Sequence, residues 1–240
     1  MIPYIGLPIS GEESVCLKAI KGGHAFISFS APAQAKIAVA YCQSYALDNG
    51  AFSAWTKGRP ITDWMPFYDW VESMRYPGLD FVIIPDSIGG TEAENDKLID
   101  DCPLPIGLGC PVWHMSESLG RLKRLIEFPR IALGGMAQYN GGRMFWDKMG
   151  QAMEIICDAE GRPKTKIHGL RMLSPQFTCL PLASADSTSI GRNVSIDKNW
   201  SAGRFAPPTK EARAVVMRER TEAQTYPCTW RKVDIQDGLF

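Results

Sequence analysis

Tyr45-Ala46-Leu47-Asp48-Asn49-Gly50-Ala51-Phe52 is an apolar run that stops on a carboxylate and then turns sharply. Asn-Gly is a pair that tolerates positive φ, so the chain reverses directly after Asp48. A strand that carries an acid to its C-terminal tip is how parallel α/β proteins present chemistry. The same device recurs downstream in Leu180-Pro181-Leu182-Ala183-Ser184-Ala185-Asp186, followed by Ser187-Thr188-Ser189.

On either side of that stretch, short apolar runs alternate with helical patterns. Strands are expected over residues 1–6, 25–30, 45–48, 80–86, 105–114, 130–136, 167–171 and 180–186. The Gly and Pro content of 105–114 blurs its ends. Helices are expected over 11–21, 33–42, 61–74, 91–101, 116–127 and 142–159. In 61–74, Thr62 is the expected N-cap, with Trp64, Phe67, Tyr68 and Val71 at i, i+3, i+4 and i+7. Thr91 is the expected cap of 91–101. Largely apolar strands in βα alternation imply a parallel sheet buried on both faces. About eight of them in this length define an α/β fold, a single (β/α)8 TIM-type barrel. The barrel domain spans 1–195. Residues 196–240 form a C-terminal extension packed on it, with a helix over 210–224 capped by Thr209.

Composition narrows the class. With 240 residues and 45% apolar content the chain buries a full core. Seven scattered cysteines without a Cys-x-x-Cys pair point to reduced thiols and a cytoplasmic setting. No stretch approaches the roughly 18 apolar residues of a membrane span, and Met1-Ile2-Pro3-Tyr4 lacks a signal-peptide pattern. The formal net charge is zero, yet residues 1–110 hold 7 Lys+Arg against 13 Asp+Glu and the remainder 19 against 13. A basic half of this kind can meet phosphates, although an asymmetry this modest also arises by chance.

The apolar runs end on Asp48, Asp86, His114, Gly134-Gly135, His168 and Asp186. Their separations are loosely centred on the roughly 30 residues of a βα unit, so in a barrel they converge on one mouth. Plainer roles exist for each. Asp48 can close an Asx-turn, Asp86 and Asp186 can cap helices, His114 and His168 can be core histidines, and Gly-Gly can mark close packing. Independent caps, however, need not share one end of successive strands. Two carboxylates flanking a glycosidic carbon can divide labour, one attacking C1′ and the other moving a proton. A third can accept from the N1–H and exocyclic amine of guanine, while N–H groups of a Gly-Gly turn donate to its O6.

These residues resemble the queuine-type tRNA-guanine transglycosylases and their DNA-acting relatives, the DpdA-type deazaguanine DNA transglycosylases of phages and bacteria. The family's Asp-Ser-Gly-Gly-Phe-Gln motif is matched by Asp48-Asn49-Gly50-Ala51-Phe52-Ser53, and its Gly-Gly-Leu-Ala strand end by Gly134-Gly135-Met136-Ala137. Its nucleophilic Asp, followed six residues later by Arg-Asn, is matched by Asp186 with Arg192-Asn193. Asp86 falls at the family's base-recognising aspartate, His114 near its glutamine, and His168-Gly169-Leu170 at a pocket-lining strand. The likeness covers about residues 1–195 in order.

The resemblance implies Asp186 as nucleophile and Asp48 as general acid/base. Asp86, His114, His168, Phe52 and the backbone at Gly134, Gly135 and Met136 would hold the purine. Arg192 would meet a phosphate. The implied partners are guanine-containing DNA, or RNA, and a free 7-deazaguanine base such as preQ0 or preQ1. Basic residues Arg121, Lys123, Arg124, Arg204, Arg213, Arg218 and Arg220 are candidates for the nucleic-acid backbone, with solvated helix faces as the plainer role.

One departure from the family pattern is informative. After Cys179 only Cys228 remains, and no His follows His168, so the tRNA enzymes' zinc site is impossible and no cofactor is expected. The chain is also much shorter, which favours the compact DNA-acting branch. Action on tRNA, a nucleosidase or glycosylase hydrolysis, and a non-enzymatic nucleic-acid-binding barrel are the rival expectations. A homodimer and a partner protein that loads the DNA are both compatible with the sequence.

Overall fold

The computed structural model describes residues 1–135, 142–195 and 207–231. In chain order the elements are β1 (Ile2–Gly6), α1 (Glu13–Ile20), β2 (His24–Ser28), α2 (Ala35–Tyr41), β3 (Ser44–Asp48), α3 (Ala51–Thr56), α4 (Met65–Ser73), β4 (Leu79–Ile83) and α5 (Glu92–Asp100). Then come β5 (Gly109–Cys110), β6 (Val112–His114), α6 (Leu119–Leu125), β7 (Arg130–Gly134), α7 (Arg143–Ile156), β8 (Lys166–Gly169), β9 (Ser184–Ser187), α8 (Ser189–Asn193) and α9 (Lys210–Glu222).

Among the described residues these strands pair only in parallel, in the order β5-β4-β3-β2-β1-β9-β8-β7-β6. The two ends of that order meet at Pro111. β5 pairs with β4, β6 pairs with β7, and the Pro111 carbonyl accepts from Ala132 N at 2.9 Å. Proline has no N–H for the ladder, so one stave is broken there into two short strands. Counted as one, it makes the eighth stave of an α/β barrel.

Side chains alternate across each strand and so build two apolar layers. The interior is filled by Tyr4, Phe26, Ala46, Phe81, Ile83, Cys110, Val112 and Ala132. Rings from four strands meet there, with His168 lying 4.9 Å from Phe81 and 6.0 Å from Tyr4 between centroids. At the N-terminal end of the barrel, Asp80 accepts from Tyr4 Oη and pairs with Arg130, both at 2.7 Å. Burial opposes the charge on Asp80, but Arg130 and Tyr4 hold its carboxyl below the usual range. The outward-facing residues pack under the helices. In α7, Phe145, Met149, Ala152, Met153 and Ile156 form the buried stripe. Each large side chain buried in this way contributes roughly 1.5–3 kcal/mol.

Several elements differ from the sequence expectation. The helix of 61–74 starts only at Met65, because Asp63 rather than Thr62 accepts from its first N–H at 3.0 Å and Pro66 suits the first turn. An additional helix, α3, follows the turn at Gly50. Ser118 caps α6, which is shorter than 116–127. Strand pairing near Asp186 begins at Ser184, since 175–177 form a 3-10 turn and Leu180 and Leu182 are buried in the loop after it. Thr91 forms a capping box with Glu94, and Thr209 accepts from Ala212 N. α9 lies on α1, where Ala214 is buried and Arg218 donates to the Lys21 carbonyl at 2.6 Å. Beyond it, Tyr226 Oη donates to Met172 O and Trp230 N to Gly161 O. Among the described residues no helix is long and apolar enough to cross a membrane.

Candidate active site

At the C-terminal end of the strands lies a cavity of about 970 Å³. Asp48 closes β3, opposite Ser28 of β2; Asp186 sits on β9 beside Tyr4 of β1; His114 closes β6 opposite Gly134 of β7. All three line the cavity, together with Asp86, Phe52, Gly134, Gly135 and Arg192. Residues far apart in the chain therefore share one space because every parallel strand delivers its tip to the same mouth.

The turn after β3 explains why Asp48 is available. Asn49, not Asp48, closes the Asx-turn, its Oδ1 accepting from Ala51 N at 2.8 Å. Gly50 has φ 77°, and a Cβ there would meet Ser30 N at 3.0 Å, so this reversal needs glycine. The Asp48 carboxyl lines the cavity, where burial and then the charges of Asp186 and Asp86 push its pKa up to about 6. The Ser28 hydroxyl and the Gly50 N–H pull the other way.

Asp186 is 3% exposed, and its Oδ1 accepts from Arg171 N at 2.8 Å. Arg171 has φ 59°, a left-handed conformation uncommon outside glycine, which aims its N–H at the carboxylate. Among the described residues Oδ2 of Asp186 has no hydrogen-bond partner. The two acids thus differ in environment: one has its proton affinity raised, the other is fixed by a main-chain donor.

Asp86 is held from two sides. Its Oδ1 accepts from Asn49 Nδ2 at 2.7 Å and its Oδ2 faces His114 Nε2 at 2.8 Å. The other ring nitrogen of His114 faces Glu117 Oε1 at 3.2 Å. Burial would lower the His114 pKa, but the two carboxylates raise it to about 9, so it is an imidazolium at neutral pH. Glu117 is gripped in turn by Asn95 Nδ2 at 2.9 Å and Arg121 at 2.6 Å. Each oxygen of Asp86 keeps a second lone pair for a ligand.

Five expected residues need correction or lie elsewhere. His168 does not reach the cavity. It is fully buried one layer below, its Nδ1 at 2.9 Å from Ser184 Oγ and its Nε2 at 3.6 Å from Asp186 Oδ1. The strand pairing that sets His168 opposite Ser184 directs the ring inward, and burial lowers its pKa. Arg121 is 1% exposed and bound by Glu117, Asp96 and the Val112 carbonyl, so it is a buried strut and not a phosphate contact. Arg124 is exposed but paired with Asp96. Met136 and Arg204 lie outside the described residues. Of the other basic candidates, Arg213 is 7% exposed and donates to Val194 O, and Arg218 is paired with Glu222.

Sequence reasoning missed Glu117, Asn95 and Arg171. Glu117 reads as a solvated residue in the first turn of the basic helix expected over 116–127. Nothing in Gly169-Leu170-Arg171 announces a left-handed arginine, whose guanidinium lies 4.2 Å from the Phe52 ring centroid on the cavity wall.

The architecture and the strand-end site together define an α/β barrel. No protein-family model matches the chain, and no curated protein matches it at a significant level. Among solved structures it is similar to two mutant forms of the tryptophan synthase alpha-subunit from the hyperthermophile Pyrococcus furiosus. One matches with 9% identity and a TM-score of 0.50, over 93% of this chain and 96% of the other. The second gives 10% identity and a TM-score of 0.46 over the same shares. At this identity the likeness concerns the fold alone.

Proposed function

We propose that this protein is a DNA-guanine transglycosylase that replaces guanine in DNA with a 7-deazaguanine base through a covalent glycosyl-aspartate. The observation that carries the reading is the sharing of one cavity by Asp48 and Asp186 with a fixed third carboxylate, Asp86. Asp186 Oδ2 attacks C1′ as the C1′–N9 bond breaks, and protonated Asp48 delivers its proton to N9 of the departing guanine. The incoming base then surrenders its N9 proton to Asp48 while N9 attacks C1′ and the ester bond to Asp186 breaks. Two displacements at one carbon retain configuration. A carboxyl held near 6 serves both directions of proton transfer near neutrality.

Asp86, clamped by Asn49 and His114, presents a pair of acceptor lone pairs that fits adjacent N1–H and amino donors of a guanine-type base. His114 has both nitrogens engaged by carboxylates, so its task is to hold Asp86 in place. The Gly134-Gly135 turn lines the same space without a side chain. In a duplex, the target nucleotide has to leave the stack to enter, at a cost of about a few kcal/mol.

The test is incorporation of labelled preQ0 into guanine-containing DNA, with tRNA as the comparison. Incorporation into DNA that is lost in Asp186→Ala supports the proposal. Incorporation into tRNA alone overturns the DNA assignment, and guanine release without an acceptor base makes the protein a hydrolase. Full activity in Asp186→Ala overturns the mechanism.

A further inference from the structure

The cavity is electrically stratified. Three of its acids are withdrawn, Asp86 at 9%, Glu117 at 6% and Asp186 at 3% exposure, and Asp48 and Glu92 are half-buried, whereas the two arginines that line it, Arg171 and Arg192, are exposed. They follow β8 and β9, which are adjacent strands, so both cations stand on one side of the mouth. Among the described residues neither has an acid within ion-pair range. Arg121 and Arg130, by contrast, are spent on carboxylates. The Arg171 plane is steadied by stacking on Phe52, which leaves its N–H edge free to donate.

We infer that Arg171 binds a phosphate beside the target nucleotide, and hence that the substrate is a phosphodiester strand and not a free nucleoside. This rests on the transglycosylase reading above. The backbone N–H of Arg171 holds the carboxylate that attacks C1′, and the phosphates of a nucleotide stand one sugar ring away from C1′. The same residue therefore fixes the nucleophile with its main chain and meets the strand with its side chain. A planar, forked donor suits a phosphate, and a strained left-handed backbone at a non-glycine residue is what places it there.

That backbone gives a clean experiment. Arg171→Gly keeps the left-handed conformation and the N–H to Asp186 while deleting the guanidinium; Arg171→Lys keeps the charge and loses the plane. The full chain and both variants are titrated into a fluorescent single-stranded DNA oligonucleotide containing guanine, over a series of salt concentrations. Circular dichroism and Tm confirm that each variant folds. Arg171→Gly is expected to weaken binding about tenfold and to flatten the log K against log [salt] slope by about 0.7, the loss of one phosphate contact. Arg171→Lys is expected to fall between the two. In exchange assays the loss should be carried by KM.

Wild-type affinity and slope in Arg171→Gly would overturn the inference, even if base exchange proceeds. Arg171-dependent binding of the strand without any base exchange would uphold it and sink the transglycosylase reading instead.

Discussion

The ring of His114 is held between Asp86, 2.8 Å from Nε2, and Glu117, 3.2 Å from Nδ1, so a single imidazolium ties the cavity wall to a buried ionic network. Its pKa is raised to about 9, above the ordinary 6.5. The stabilisation is therefore complete below pH 6.5 and is lost as pH rises through about 9. Glu117→Gln removes one carboxylate and leaves Arg121 underpaired in the interior, at an expected cost of about 3 kcal/mol near neutral pH. The His114 Cε1–H resonance should titrate with a midpoint near 9 in the wild type and lower in the variant. A wild-type midpoint near 6.5 would contradict the network.

Asp48 behaves in the opposite sense for stability. Burial and neighbouring acids raise its pKa to about 6 from 3.8, so the native state prefers the protonated carboxyl. Below about pH 3.8 the residue costs nothing, and the penalty grows as pH rises to about 6 and stays constant beyond it. Asp48→Asn should therefore stabilise the protein at about pH 7–8 by about 2 kcal/mol, or roughly 4–8 °C in Tm, and bring no gain near about pH 3.5. Base exchange should be lost in the same variant. Thermal melts at the two pH values check the first part, and equal shifts at both would refute it.

Asn49 joins three groups: the Ala51 N–H, the Ile84 carbonyl and Asp86 Oδ1. Asn49→Ala deletes the turn's closing bond and one clamp of Asp86. A destabilisation of about 1–3 kcal/mol is expected, together with a raised KM for the incoming base. Denaturant melts and initial rates check both, and an unchanged KM would show that Asp86 does not need the clamp.

How much of this is legible in the sequence follows from which forces leave local marks. Strand tips are local: an apolar run that halts at Asp48 or Asp186 is visible, and the barrel brings those tips together. Thr91 with Glu94 is legible for the same reason. The buried ion network is not, because Glu117 and Arg121 sit at a helical spacing that normally describes a wet surface. The burial of Arg121 among Glu117, Asp96 and the Val112 carbonyl is what shows that this face is inside. His168 lies one layer deeper than its place in the sequence suggests, since a residue's depth along a strand depends on barrel register. Asp48 and Asn49 exchange roles for a similar reason. Either can close a turn, and only three dimensions show which one does.

Arg121 offers a direct contrast between surface and strut. If it served a nucleic-acid backbone, Arg121→Ala would flatten the salt dependence of DNA binding at little cost in stability. Its contacts with Glu117, Asp96 and Val112 O predict instead a loss of about 3–5 kcal/mol, read by urea denaturation, because two acids lose their partner. A stable variant with an altered salt slope would return Arg121 to the surface.

In the proposed exchange the sugar is expected to pass through a covalent bond to Asp186. Guanine-containing DNA incubated with the protein in the absence of an acceptor base, quenched with denaturant and digested, should yield one peptide bearing a nucleotide adduct. Tandem mass spectrometry should place it on Asp186, with no adduct in Asp186→Ala and accumulation in wild type. An adduct mapped to Asp48 or Asp86, or base exchange that proceeds in Asp186→Ala with no trapped species, would contradict the account.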